Sequence, residues 1–120
     1  RTLAEFSARS GVAHAFDRGE PTDRLTPKRA TALFRVLQEA LTNVARHACA
    51  SRVEVALRTL GDRVVLELVD DGIGFDVDAD TGAHLGLLSM HERAREIGAE
   101  LKLRSAPGTG TRLSVTAPLL

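Results

Sequence analysis

Glu39, Asn43 and His47 recur four residues apart within the stretch QEALTNVARHA, Gln38 to Ala48. On a helix each residue advances about 100°, so a step of four drifts by about 40°. Leu33, Val36, Leu37, Ala40, Leu41, Val44 and Ala48 then share one broad apolar arc. Arg35, Gln38, Glu39, Thr42 and Arg46 share the opposite arc. The row Glu39, Asn43, His47 climbs from the polar arc toward the edge of the apolar one. Residues at such an edge are partly shielded from water. An Asn oxygen there is a neutral ligand suited to a hard cation such as Mg²⁺. A shielded Glu can act as a base or orient a water. The same spacing also fits a solvated helix face with i,i+4 pairs, and spacing alone favours that plainer reading.

A second constellation is DDGIGF, Asp70 to Phe75, placed directly after a strand pattern. Gly72 and Gly74 allow a sharp bend and close approach of a ligand to the backbone. Asp70, while ionised, only accepts hydrogen bonds and could hold an exocyclic amine such as that of adenine. An ordinary acidic turn fits the stretch as well. Its spacing does not match a calcium loop.

Two further glycine-bearing stretches follow. GAHLGLLSMHERA, Gly82 to Ala94, leads a loop into a helix N-terminus, where free backbone N–H groups favour phosphate. GTGT, Gly108 to Thr111, lies between two strand patterns and by itself reads as a hairpin turn. Leu87 and Met90 fit core positions. No Gly-Lys-Ser/Thr phosphate loop, nucleophile elbow or Cys/His nucleophile pair is present.

The elements that must position these residues are legible. Thr26-Pro27 is a helix start, with Thr as the cap and Pro at the first helical position, and the helix is expected to run to about Ala48. Arg52 to Leu60 and Arg63 to Asp70 alternate with period two around Gly61-Asp62 and predict a β-hairpin. Asp71 to Leu85 lacks periodicity and is long for a simple connection, which suits a functional loop or lid. Leu87 to Ile97 predicts a second helix ended by Gly98, and Glu100 to Ser105 and Thr111 to Leu119 predict strands. Before Thr26, a short helix over Thr2 to Ser10, a strand over Val12 to Phe16 and a polar turn region over Asp17 to Arg24 are expected. The sum is an α+β fold: a two-layer sandwich with a mixed, mostly antiparallel sheet and helices packed on one face.

Composition narrows the function classes. A chain of 120 residues, 43% hydrophobic, is expected to form one globular domain over residues 1–120. The charge balances, with 16 basic and 16 acidic residues, so the basic excess of a nucleic-acid binder is missing. Cys49 is the only cysteine, which excludes an intrachain disulfide and zinc-finger spacing and fits a reducing compartment. No apolar run reaches the roughly 18–20 residues of a membrane span, so no direct membrane contact is expected of this segment. The chain opens on Arg1 and its only Met is Met90, so it is expected to be a domain cut from a longer protein.

Each motif is modest alone, but their order is specific. A helix with Glu-x-x-x-Asn, a hairpin, Asp-x-Gly-x-Gly, a glycine-bearing lid and Gly-x-Gly-Thr resembles the ATP-binding catalytic domain of sensor histidine kinases. These kinases share a superfamily, GHKL, with gyrase-type topoisomerases, the ninety-kilodalton heat-shock chaperones and the MutL mismatch-repair ATPases. QEALTNVARHA, GLLSMHERA and PGTGTRL are similar to the nitrate-sensor-like subgroup of two-component kinases. The resemblance covers roughly Phe34 to Leu119.

The resemblance implies roles. Asn43 matches the asparagine that ligates the Mg²⁺ bridging the ATP phosphates, and Glu39 the acidic residue that positions or polarises the reacting groups. Arg46 and His47 fall where the subgroup carries a basic pair near the nucleotide. Asp70 matches the acceptor of the adenine amino group, with Gly72 and Gly74 completing its motif. Gly82, Gly86 and Leu87 match the lid region that folds over the phosphates. Gly108, Gly110 and Thr111 match the last motif lining the site. Asp71 stands where the family often has Asn, Ser89 where Gly or Asn is common, and His84 follows Ala83 in a lid usually richer in glycine.

The implied reaction is transfer of the γ-phosphoryl of Mg-ATP to a histidine on a separate dimerisation domain, and from there to a response regulator. A cytoplasmic setting goes with it. No phosphoacceptor helix is recognisable before Thr26, so this chain is expected to bind nucleotide without a histidine of its own to phosphorylate. Two other readings keep the same motifs: an anti-sigma-factor-type serine kinase of the same superfamily, and a non-catalytic interaction module retaining the fold.

Overall fold

The computed structural model describes residues 11, 13–17, 25–45, 49–74 and 83–119, with the side chains of 83–87 outside that description. The expected helix over Thr2 to Ser10, and all but the first residue of the turn region Asp17 to Arg24, lie outside the described residues.

The elements run β1 (Ala13–Asp17), α1 (Pro27–Asn43), β2 (Arg52–Leu60), β3 (Arg63–Asp70), α2 (Ala83–Glu96), β4 (Glu100–Ser105) and β5 (Thr111–Pro118). The strands form one sheet in the order β1-β2-β3-β5-β4. β1 runs parallel to β2, and every other pairing is antiparallel. This is the mixed, mostly antiparallel α+β architecture that the period-two and helical patterns predict.

Period two decides which residues meet the core. Val53 and Val55 of β2, Val64, Leu66 and Leu68 of β3, Leu113, Val115 and Ala117 of β5 and Leu101 of β4 are all buried on one face. The helices bring the matching stripes: Leu33, Val36, Ala40, Leu41 and Val44 from α1 or just past its end, and Met90, Ala94 and Ile97 from α2 or its closing turn. Removing each such Val, Leu, Ile or Met side chain from water contributes roughly 1.5–3 kcal/mol. This shared cluster fixes the helix layer against the sheet.

α1 starts as its sequence predicts. Thr26 adopts extended geometry, and its hydroxyl accepts from the Arg29 N–H at 3.2 Å, with Pro27 next in the first turn. It ends earlier than predicted. Regular α-geometry stops at Asn43, Val44 and Ala45 continue in a wider turn, and Cys49 stands at a φ of 50°. Ala and Val continue the apolar period past Asn43, but the chain must leave the axis to enter β2 at Arg52. α2 differs in the other direction: it begins at Ala83, not Leu87, so Gly86 lies inside the helix and not in a loop. The first turn of a helix needs no apolar period, which is why the pattern alone placed the start late. No helix among the described residues is long and apolar enough to cross a membrane.

Candidate functional site

The apolar face of the sheet ends in polar side chains. Asp70 continues the buried phase of Val64, Leu66 and Leu68 by one more step and is only 4% exposed. Register places it opposite Thr111 of β5, and Thr111 opposite Ser105 of β4. Thr111 Oγ1 and Ser105 Oγ are hydrogen-bonded at 2.9 Å, and the Ser105 hydroxyl also reaches the Gly110 carbonyl at 3.0 Å. Three adjacent strands therefore finish the same face with a carboxylate and two hydroxyls. Ser105 escaped the sequence reading. Its in-phase position after Leu101 and Leu103 was the available signal.

Burial dominates the electrostatics of Asp70 and pushes its pKa above the usual carboxylate value. Hydrogen bonds from the Gly72 and Thr111 backbones oppose that shift, and the neighbouring Asp71 charge adds to it. The Gly72 N–H donates to Oδ1 at 2.8 Å. Among the described residues no cation forms an ion pair with it. A shielded acceptor of this kind is suited to a directed N–H donor.

Two loops form the rim, and they interlock through their backbones. The Gly108 N–H donates to the Ile73 carbonyl at 2.5 Å. Gly74 has a φ of 67°, and a Cβ there would collide with the Ala106 carbonyl oxygen and lie 2.9 Å from that of Gly110. Gly110 has a φ of 76°, and a Cβ there would collide with the Asp70 carbonyl oxygen. The sequence reading gave Gly72 and Gly74 to ligand approach. At Gly74 the structure shows a close approach by the neighbouring loop. Thr109 holds its own turn, with N–H and hydroxyl both donating to the Ala106 carbonyl, at 3.0 and 2.8 Å.

Asp71 points elsewhere. Successive strand residues face opposite ways, and its carboxylate accepts from the N–H groups of Ser51 and Arg52 at 2.9 and 3.0 Å. The Ser51 side-chain bond, the Arg52 backbone and the Ser51 backbone hold its pKa below the usual value. The negative charge that the sequence places beside the site is thus engaged at the start of β2. The partner Ser51 had no sequence signal.

Glu39 and Asn43 are half-buried beside the buried Ala40 and Val44, the edge position that their spacing predicts. Arg46, His47 and Gly82 lie outside the described residues, and Gly86 and Leu87 fall in α2 with side chains not described. No group of three or more His, Cys, Asp or Glu among the described residues could cage a metal ion. One neutral Asn oxygen is a donor set that fits a cation carried mainly by phosphate oxygens and water, as Mg²⁺ commonly is.

Comparison with known proteins identifies the family and the fold. The family described as histidine kinase-, DNA gyrase B- and HSP90-like ATPases matches residues 28–120. The sensor protein VraS of Staphylococcus aureus (strain COL) is 45% identical over 87 residues, which cover 72% of this chain and 25% of that protein. The chain thus spans about a quarter of the length of the curated relatives it matches. The histidine kinase domain of the blue-light activated kinase from Erythrobacter litoralis EL346 superposes with a TM-score of 0.81 at 23% identity, covering 97% of this chain and 57% of that one. Full-length ShkA in complex with AMPPNP gives a TM-score of 0.78 at 20% identity, covering 97% and 27% respectively. The chain belongs to the family of histidine kinase-, DNA gyrase B- and HSP90-like ATPases.

Proposed function

We propose that this chain, as one domain over residues 1–120, binds Mg-ATP and serves as the catalytic domain of a sensor histidine kinase. In this reading its nucleotide donates the γ-phosphoryl group to a histidine on the dimerisation domain of the same kinase, which in turn phosphorylates a response regulator in the cytoplasm. The observation that carries the reading is Asp70: a carboxylate, 4% exposed, at the polar end of a core face, in register with Thr111 and with no cation paired to it among the described residues. An adenine amino group would add a further N–H donor to the backbone donors of Gly72 and Thr111 that this carboxylate already accepts from.

The remaining roles follow from position. Asp70 and Thr111 orient the base from the sheet end, while the interlocked rim of Ile73, Gly74, Gly108 and Gly110 holds that end rigid. Asn43, half-buried on the facing helix, ligates the Mg²⁺. Mg²⁺ held there with the nucleotide would supply charge neutralisation. Glu39, one turn earlier, positions the reacting groups, and Arg46 and His47 contribute positive charge near the phosphates. Gly82, Gly86 and Leu87 belong to the segment that covers them. Phosphoryl transfer asks the protein mainly for positioning and charge stabilisation, and this residue set meets both demands. The order of the four motifs and the 45% identity over 87 residues to a sensor protein support the two-component assignment.

The test supplies a separate phosphoacceptor helical domain with radiolabelled ATP and the 120-residue chain. The expected product is a phosphate on histidine, stable in base and labile in acid, formed by the parent and lost in Asn43→Ala. An acid-stable phosphate on serine would transfer the domain to the serine-kinase branch.

A further inference from the structure

Asp71 shows a constellation that nucleotide contact does not explain. Its Oδ1 accepts from the Ser51 N–H at 2.9 Å and the Arg52 N–H at 3.0 Å, and its Oδ2 from the Ser51 hydroxyl at 2.5 Å. In return the Asp71 N–H donates to the Arg52 carbonyl at 3.3 Å. Ser51 is itself a junction, since its carbonyl accepts from the Ala13 N–H at 3.0 Å where β1 joins the sheet. One side chain thus holds the start of β2 and, through Ser51, the start of β1, and ties them to the residue next to Asp70.

We propose that Asp71 is a positioning residue for base recognition: it locks Ser51 and Arg52 at the start of β2 to the end of β3 and so fixes the direction in which Asp70 presents its acceptor oxygen. The proposal rests on the reading of Asp70 as the adenine acceptor. The geometry supports it on both flanks. Asp70 is followed immediately by the Asp71 clamp on one side, and its own carbonyl is pressed by Gly110 on the other. With the carboxylate removed, residues 70–72 lose the side-chain bonds to Ser51 and Arg52 and keep the backbone pairing of Asp70 with Val53 and the single Asp71 N–H bond to the Arg52 carbonyl. The clamp is exposed, so its hydrogen bonds contribute little to global stability on their own. Its effect is local and acts on orientation.

The test is the ratio of affinities for ATP and inosine triphosphate, which carries a 6-oxo group where adenine has its amine. Calorimetric titration with Mg²⁺ present is carried out on the 120-residue chain and on Asp71→Ala, Asp71→Asn, Ser51→Ala and Asp70→Asn. Loss of an aligned hydrogen bond to a charged acceptor is expected to weaken ATP binding of Asp71→Ala about tenfold. Inosine triphosphate affinity stays near that of the parent, so the preference shrinks. Asp71→Asn keeps an acceptor oxygen for the two N–H groups and restores the preference. Ser51→Ala removes only the hydroxyl donor and shifts it in the same direction by less, which keeps the test available if Asp71→Ala does not fold. Equal weakening of both nucleotides, or a preference unchanged in folded Asp71→Ala and Ser51→Ala, overturns the positioning role. If Asp70→Asn itself keeps the parent preference, the reading of Asp70 fails first, and that result is distinct from a failure confined to Asp71.

Discussion

Gly110 lies against the Asp70 carbonyl so closely that no side chain fits between them. Gly74 stands in the same relation to the carbonyl of Ala106, and the Gly108 N–H bonds to the Ile73 carbonyl across the same seam. The two glycine motifs, far apart in sequence, are halves of one backbone joint. Gly74→Ala and Gly110→Ala combine left-handed strain with a collision against backbone and are each expected to cost about 2–4 kcal/mol. Gly108→Ala, at a φ of 84° with nothing within 4 Å, bears the conformational strain alone, about 1 kcal/mol. Denaturant unfolding of the three variants checks the order. Equal losses would mean that the joint is not tight.

Asp70 is expected to hold the apo domain below its attainable stability. Its pKa is raised by burial, so the stability it contributes is full below the unfolded value of 3.8 and is lost as pH rises through the folded value. Asn at 70 removes the buried charge and can still accept from the Gly72 N–H. Apo Asp70→Asn should therefore be at least as stable as the parent at neutral pH, with the advantage disappearing toward acid. Thermal melts across pH check this, and an Asn variant that is weaker at neutral pH and stronger in acid contradicts it.

Asp71 is expected to behave in the opposite sense. Its pKa is lowered, chiefly by the Ser51 side chain and the Arg52 backbone, so its contribution is present above 3.8 and is lost as pH falls through the folded value. Asp71→Asn removes that titration. The parent should lose stability relative to the variant as pH drops below about 4. Melts of the two proteins that fall in parallel through the acid range would show that the Ser51 clamp carries no charge-dependent stability.

Asn43 offers a single neutral oxygen at a half-buried helix edge, beside no cluster of acidic ligands among the described residues. In the proposed reading, Mg²⁺ would reach this site together with the nucleotide phosphates. Asn43→Ala is expected to reduce the Mg²⁺ enhancement of ATP affinity by about tenfold while leaving metal-free binding near the parent value. Titrations with and without Mg²⁺ decide the matter, and an undiminished enhancement removes Asn43 as the ligand.

Much of this fold is legible because burial imposes period two on its strands. Arg52–Leu60, Arg63–Asp70 and Glu100–Ser105 have the bounds their alternation predicts. The parallel pairing of β1 with β2 is not encoded locally, since a short strand carries no mark of its neighbour's direction. Where α1 ends is also a tertiary matter: Ala and Val keep the helical period past Asn43, but the Asp71 clamp at Ser51 and Arg52 fixes where β2 must begin. In the candidate site, the edge position of Glu39 and Asn43 and the strand-end position of Asp70 were readable from spacing. The partners of Asp71 and Gly74 were not, because each meets a segment distant in sequence whose placement only the folded sheet determines.

The most direct test of the account is calorimetric titration of Mg-ATP into the 120-residue chain and into Asp70→Asn, with apo stability measured alongside. The account predicts measurable binding by the parent and a loss of roughly 10-fold to 100-fold or more in the variant, the scale of one hydrogen bond to a charged acceptor, with the variant still folded. Undiminished ATP affinity in folded Asp70→Asn would contradict the assignment of the sheet-end carboxylate as the base-recognition group.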